Sequence, residues 1–221
     1  YYSNSENYKF WNTHIFPASE KNRVNLIIKP RIKKIIEISK KFKIDKELFL
    51  EIGPGFGSFG QELKKHNFFK KFIAVEPMPD LAESCRKKGL QVIERPVEKI
   101  KSLDKKASVV ASFEVIEHLF SPAIFLSGIK KLIKKNGLLF ITCPNYNGFE
   151  ISTLGKNSDT IDIEHLNYFT IRSLSILLKK IGFKVIDAFT PGLLDADIVR
   201  KKIINGKLKI QKEHFLYKIL I

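Results

Sequence analysis

The sequence predicts a doubly wound α/β domain, a mainly parallel sheet covered by helices on both faces. Three observations carry that expectation. Short apolar runs of strand length alternate with helix-length segments between residues 48 and 142, and strand, helix, strand repeated in this way builds a parallel sheet. The first run passes through a glycine-rich turn, GPGFG, into a helical segment, which is where sheets of this kind bring backbone close to a ligand. The chain has 221 residues, 44% of them hydrophobic, enough to bury one core.

Taken in order, the chain through about Asn22 is polar and aromatic without a clear period and reads as an irregular arm. From Pro30, a favourable first-turn residue, Ile32, Ile35, Ile36 and Ser39 recur at helical spacing, so a helix is expected before the first strand. Strands are expected at Leu48 to Ile52, Phe72 to Val75, Leu90 to Ile93, Ser108 to Phe113 and Leu138 to Thr142. After the fourth, Ser121 can cap a helix, Pro122 fits its first turn, and Ile124, Phe125, Ile129, Leu132 and Ile133 form one stripe that Asn136-Gly137 ends. A further helix is expected from Thr170 to Ile181, with Gly182 as its stop, then a sixth strand from Phe183 to Ala188 before Pro191-Gly192 breaks the pattern. There are no internal repeats. Three regions result: an N-terminal arm and helix over 1–45, the sheet domain over 46–190 and a C-terminal helical extension over 191–221.

Composition narrows the setting. Cys85 and Cys143 stand far apart, without disulfide or metal spacing, and both are expected to be reduced. No apolar run reaches the roughly 18 to 20 residues that span a bilayer, and YYSNSENYKF is too polar for a secretory signal, so the expected address is cytoplasmic. The formal net charge is +16. Nearly all of the excess is lysine, scattered as doublets on the outer faces of helical segments in a chain also rich in Ile, Asn and Phe, and it reads as compositional bias on a solvated surface. No basic stripe with interleaved aromatics appears, and nucleic acid is not an expected partner. The chain begins at Tyr1, its only methionine is Met78, and it stops in the hydrophobic HFLYKILI, so it reads as a piece of a longer protein.

The strongest local signal is FLEIGPGFGSFG. Gly53, Gly55 and Gly57 make a tight turn from the first strand into a helix near Ser58, and Glu51 at the strand's end is placed to meet a positive or hydroxyl-bearing group. Glu76 ends the next strand in FIAVEP, at about the distance where this architecture sets a carboxylate on ribose hydroxyls. Together they suggest an adenosine-type ligand. Gly55, Gly57 and Gly60 also satisfy the dinucleotide pattern G-x-G-x-x-G, so the glycines alone do not choose a cofactor.

With these motifs in place, the sequence after about residue 30 resembles the class I S-adenosylmethionine-dependent methyltransferases. FLEIGPGFG is similar to their E-x-G-x-G-x-G loop, FIAVEP to their ribose acid, ASFEVIEHLFSP to the fourth-strand motif and GLLFITCPN to the fifth strand. EVIEHL followed by EHLNYFTIRSLSILLKKIGF resembles the branch with the ubiquinone-biosynthesis O-methyltransferases and glycan-associated methyltransferases. The resemblance departs at Ala107-Ser108, where an acid often opens the fourth strand, and at Arg95-Pro96, where glycine-aspartate is usual.

The resemblance implies a Rossmann-like, three-layer αβα fold whose seventh strand, inserted antiparallel between the fifth and sixth, is not visible before the sequence ends. It implies S-adenosyl-L-methionine as cofactor. The methionine end would lie near Glu51, Gly53 and Gly55, with Pro54 and Gly57 completing the loop, Glu76 on the ribose, Pro77, Met78, Pro96 and Val97 bordering the adenine, and Phe113 and Glu114 lining the pocket. His118 and His165 are the candidates for proton handling, because imidazole titrates near neutral pH. In some relatives, the small-RNA 3′-terminal 2′-O-methyltransferases among them, an E-x-x-E-H motif with a later histidine holds a divalent metal; Glu114, Glu117, His118 and His165 are the matching letters, and no metal is assigned.

The expected acceptor is a small polar molecule, a sugar or glycan precursor, held under a lid formed by the His165 loop and the arm carrying Trp11, His14, Phe16, Lys21 and Arg23. Three other readings stay open: an NAD-dependent reductase or epimerase, through the glycines, though the Tyr-x-x-x-Lys pair is lacking; an RNA methyltransferase, through the charge and EVIEH; and a binding module without activity.

Overall fold

The structure is a computed structural model that describes residues 14, 16–190, 193–209, 211 and 215–220. Its sheet has five parallel strands, β1 (Leu48–Ile52), β2 (Lys71–Val75), β3 (Gln91–Ile93), β4 (Ala107–Phe113) and β5 (Ile133–Thr142), in the order β3-β2-β1-β4-β5. The order reverses beside β1, and ligands in open α/β sheets bind at the carboxyl edge of such a switch point. β1 is buried at every residue, and β4 at all but its last; strands covered on both faces need these continuous apolar runs.

The helices are α1 (Phe16–Arg23), α2 (Lys29–Lys41), α3 (Ser58–Lys64), α4 (Pro79–Lys87), α5 (Pro122–Leu132), α6 (Phe149–Leu154), α7 (Ile171–Ile181), α8 (Leu193–Ile204) and α9 (Phe215–Leu220). The chain folds as two units, one of Tyr1–Phe113 with Ser127–Thr142 and the other of Glu114–Leu126 with Cys143–Ile221. In the first, Ile32 and Ile35 of α2 join Phe49, Phe59, Leu63, Val109 and Ala111 in one core. In the second, Leu154, Val199 and Ile203 form a smaller cluster.

Three expectations are corrected. The arm is not irregular over 16–22: α1 runs through a π-helical segment, Val24–Ile28, straight into α2. Pro30 stands in the first turn of α2, as expected, although the helical run begins before it. It supplies no N–H and its ring crowds the preceding turn, and a wider turn just before it, closed by Lys29 N–H on the Val24 carbonyl, accommodates both effects.

The fifth strand begins at Ile133 rather than Leu138, so Asn136-Gly137 lies within it and does not end α5. The β4–β5 register slips between the Ala107–Ile133 and Val109–Leu138 pairs. Asn136 takes a left-handed φ of 63° in that stretch, the backbone an irregular strand needs where one side holds extra residues.

The sixth strand is absent from the described sheet; residues 183–190 carry no strand. A strand that belongs one place beyond the β5 edge has no neighbour to hydrogen-bond unless another strand fills the gap, and none of the described residues does. The Pro191-Gly192 break lies outside the described residues. The helix ending at Gly182 is found as expected, with Thr170 and Ser173 in a reciprocal capping box and Gly182 left-handed at its end.

Candidate active site

At the carboxyl end of β1, Glu51 is 2% exposed. Burial pushes its carboxyl up to about 8, with the Arg31 charge pulling the other way. Its Oε2 receives no hydrogen bond among the described residues. A buried polar atom left in this state costs free energy until something satisfies it, and a cationic ammonium would do so.

Beyond Ile52 the chain turns through Gly53, Pro54, Gly55 and Gly57, whose glycines have φ of 70°, 55° and 76°. At Gly55 a Cβ would meet nothing within 4 Å, so glycine serves the backbone angle there and the space beside it is open. Gly60 is different: a Cβ would fall 2.5 Å from Phe72 Cζ. The last glycine of G-x-G-x-x-G thus lets α3 lie against β2.

Glu76, at the end of β2, folds back onto this loop. It is 3% exposed and accepts from the Met78 N–H at 3.0 Å and from the Gly55 backbone. Burial pushes its carboxyl up to about 7. Cys85 Sγ–H donates to the Gly55 carbonyl at 3.2 Å, and burial pushes that thiol up to about 12. Pro77 is exposed, Met78 and Pro96 half-buried, and Val97 buried in the turn Val97–Lys99. Phe113, half-buried at the end of β4, meets Phe59 edge-on at 4.9 Å. Glu114, next in the chain, is exposed with φ of 54°.

Sequence reasoning missed two parts of this site. The Arg31 guanidinium lies 4.4 Å from the Phe113 ring centroid and is the cation that acts on Glu51. It sits off the apolar stripe of α2, where helical spacing gives no sign of a role. On α1, Glu20 accepts from Ser58 Oγ and Lys88 Nζ, both at 2.5 Å, tying the N-terminal helix to the first residue after the glycine loop. Of the proposed lid residues, Lys21 and Arg23 are exposed, as is His14, while Trp11 and the Phe16 side chain lie outside the described residues.

The second unit gathers the proton-handling candidates. Glu117 and His118 lie on the turn Ile116–His118, and Asn167 locks that turn by donating from Nδ2 to the Leu119 carbonyl at 2.6 Å and from its N–H to the Glu117 carbonyl at 2.9 Å. The His118 and His165 rings lie 4.7 Å apart. His118 Nδ1 meets the Glu164 carbonyl at 3.0 Å and His165 Nδ1 the Thr160 carbonyl at 2.6 Å. A carbonyl can only accept, so each Nδ1 donates, and a neutral ring held this way has its lone pair on Nε2. Burial lowers the His118 pKa, which favours the neutral ring.

Glu117 is 2% exposed, and neither of its oxygens receives a hydrogen bond among the described residues. Burial first, and then the Glu114 charge, push it up to about 8. One ligand atom each of Glu117, His118 and His165 lie within 4.8 Å of one another. Oxygen and imidazole donors so placed could hold a divalent cation, and Glu114 is not among them.

Residues 25–188 match a family model described as a methyltransferase domain. The chain belongs to this methyltransferase family. Its fold is the Rossmann-like methyltransferase fold, and S-adenosyl-L-methionine is the methyl donor that goes with it. Over 161 residues the chain is 26% identical to the C-methyltransferase NovU of Streptomyces niveus, an alignment covering 70% of this chain and 37% of that protein. The chain thus spans little more than a third of the length of that curated relative. Among solved structures, an S-adenosylmethionine-dependent methyltransferase of Thermotoga maritima aligns at 25% identity with a TM-score of 0.58, covering 79% of this chain and 82% of the other. Another from Clostridium acetobutylicum aligns at 12% identity with a TM-score of 0.61, covering 79% and 87%, a likeness of fold.

Proposed function

We propose that this methyltransferase transfers the methyl group to a small polar acceptor, a sugar or glycan precursor, with Glu51, the Gly53–Gly57 loop and Glu76 holding the donor and the His118–His165 pair moving the acceptor's proton. The bound donor supplies an electrophilic methyl on a sulfonium, displaced in line. What remains for the chain is to align the acceptor and remove a proton. Glu51, buried and incompletely satisfied, takes the donor's ammonium. Glu76 accepts from two ribose hydroxyls, and the loop backbone approaches the donor where Gly55 leaves space.

The observation that carries the reading is the pair of imidazoles with ring centroids 4.7 Å apart, each with Nδ1 tied to a backbone carbonyl. A neutral ring so held can accept a proton at Nε2 from a hydroxyl or an acidified C–H, and a carbon acceptor, as the name of the Streptomyces relative implies for that protein, makes a base indispensable. The lid reading of the N-terminal region is supported by the Glu20 contact with Ser58.

The Glu117, His118 and His165 cluster favours a second reading, in which a divalent cation orients the acceptor. One experiment separates the two. His118→Ala and His165→Ala should each lower single-turnover rates about a hundredfold or more with donor affinity unchanged, and Mn²⁺ titrated into the protein should give no bound-ion resonance signal. Full activity in both variants removes the base assignment; a Mn²⁺ signal abolished in Glu117→Gln moves the assignment to the cation.

A further inference from the structure

From the lysines that parallel topology gathers at one end of the sheet, we infer that the edge at which the strands begin is a docking surface for an anionic lipid bilayer, opposite in sense to the edge that holds the donor. Four neighbouring strands carry lysines just before or at their starts. Lys40, Lys41, Lys43 and Lys46 lead into β1, Lys70 and Lys71 open β2, Lys101, Lys105 and Lys106 precede β4, and Lys134 and Lys135 follow the first residue of β5. All but Lys134 are exposed. Because these strands are parallel neighbours in the order β2-β1-β4-β5, the four groups stand in one row, about 15 Å long at the usual strand spacing.

The acids in these stretches do not cancel the row. Asp45 holds Lys134, Glu47 holds Lys70 and Lys105, and Asp104 is the third. Eleven lysines against three acids leave +8 in four short stretches, half of the formal net charge of +16.

Two bland explanations fall short. Lysine-rich composition would spread the residue evenly, yet the turns that follow the strands, 53–57, 76–78, 94–96, 114–121 and 143–148, contain no lysine at all. The helix macrodipole accounts for cations in a last turn, such as Lys40 and Lys41 of α2. It does not reach Lys43, Lys46, Lys71, Lys105 or Lys106, which lie beyond the helices on the way into strands.

The chemistry of the row favours lipid headgroups over nucleic acid. It contains no arginine, the residue suited to bidentate phosphate and base contacts. Phe68, beside it, is covered by Lys46 and Lys40 at 4.7 and 5.9 Å from its ring centroid, so its face is not open for base stacking. Point charges on long flexible stems suit a plane of diffuse anionic headgroups. Phe42, 46% exposed with Lys41 beside it, adds an apolar contact of the kind that sits at a bilayer interface. No described helix is long and apolar enough to cross a membrane, so the association is peripheral and reversible.

The test is co-sedimentation of the chain with vesicles of phosphatidylcholine alone, and of phosphatidylcholine with about one third phosphatidylglycerol. Binding is expected only to the anionic vesicles, and about 0.5 M salt should release it. The Lys41→Gln, Lys43→Gln, Lys71→Gln, Lys106→Gln quadruple variant should lose about a hundredfold or more in partition, at about fivefold per lysine. Its melting temperature and S-adenosylhomocysteine affinity should stay at wild-type values. Absence of binding to anionic vesicles at low salt, or equal binding by the folded variant, overturns the inference. Displacement of the bound protein by single-stranded RNA at equal phosphate concentration would overturn it in favour of nucleic acid.

Discussion

Donor binding should be strongly pH-dependent in a direction set by Glu51 and Glu76. Both carboxyls are raised by burial, to about 8 and about 7, so the free protein holds them largely protonated below neutrality. A donor whose ammonium meets Glu51 and whose ribose hydroxyls donate to Glu76 binds the ionised forms. Affinity therefore rises with pH until each group has ionised. Between about pH 5.5 and about pH 7.0, the ionised fraction of a group at about 8 grows about 30-fold and that of a group at about 7 about 16-fold.

Over this window the ligand's own amino group stays protonated, so the slope belongs to the protein. Calorimetry with S-adenosylhomocysteine at matched ionic strength should show a gain of several hundredfold when the two factors multiply. Glu51→Gln should remove the larger factor and Glu76→Gln the smaller, each also lowering affinity at neutral pH by about 1 to 3 kcal/mol. An affinity that is flat or falls across the window refutes the reasoning, as does a Glu51→Gln protein that keeps the full slope.

The same groups should make the ligand-free protein less stable in mild alkali. Glu51, Glu76 and Glu117 have folded values above the ordinary carboxyl value of 4.5, so their contribution is complete below that value and is lost progressively as pH rises from there to about 7 to 8. The lowered His118 acts only below its ordinary value near 6.5, leaving the carboxyls to set the trend between about pH 6.5 and about pH 8.5. Thermal melts should fall across that range, and less so with donor bound. Gly60→Ala should cost about 1 to 3 kcal/mol, because its Cβ would overlap the Phe72 ring. Chemical denaturation that finds the variant as stable as the parent would show that α3 shifts freely against β2.

Much of the fold could be read from residues because the central strands are buried on both faces and so appear as unbroken apolar runs between glycine and proline punctuation. Leu48–Ile52 is the clearest case, and the stop of α7 at Gly182 was equally legible. What failed was decided by non-local partners. Phe183 to Ala188 has a strand's composition, but pairing depends on a neighbour that local sequence cannot supply. Asn136-Gly137 has a helix stop's chemistry, yet β4 draws those residues into the sheet as an irregularity. In the candidate site, Glu51, Glu76 and the glycine turn announced themselves by spacing. Arg31 did not, because its place beside Phe113 and Glu51 exists only once α2 packs on β1 and β4. The joining of Glu117, His118 and His165 likewise depends on a loop that returns from more than forty residues away.

The hydrogen bond from Cys85 to Gly55 gives the glycine loop a chemical reporter. A thiol that is fully buried and raised to about 12 reacts with alkylating or disulfide reagents only when the loop lifts and lets both solvent and reagent in, since the thiolate is the reactive form. The rate of Cys85 modification therefore counts loop openings. If the donor clamps the loop, saturating ligand should slow labelling at Cys85 while leaving Cys143, in the other unit, reacting at its own pace. The protein thus carries an internal clock for the opening of its glycine loop and a second thiol against which to calibrate it.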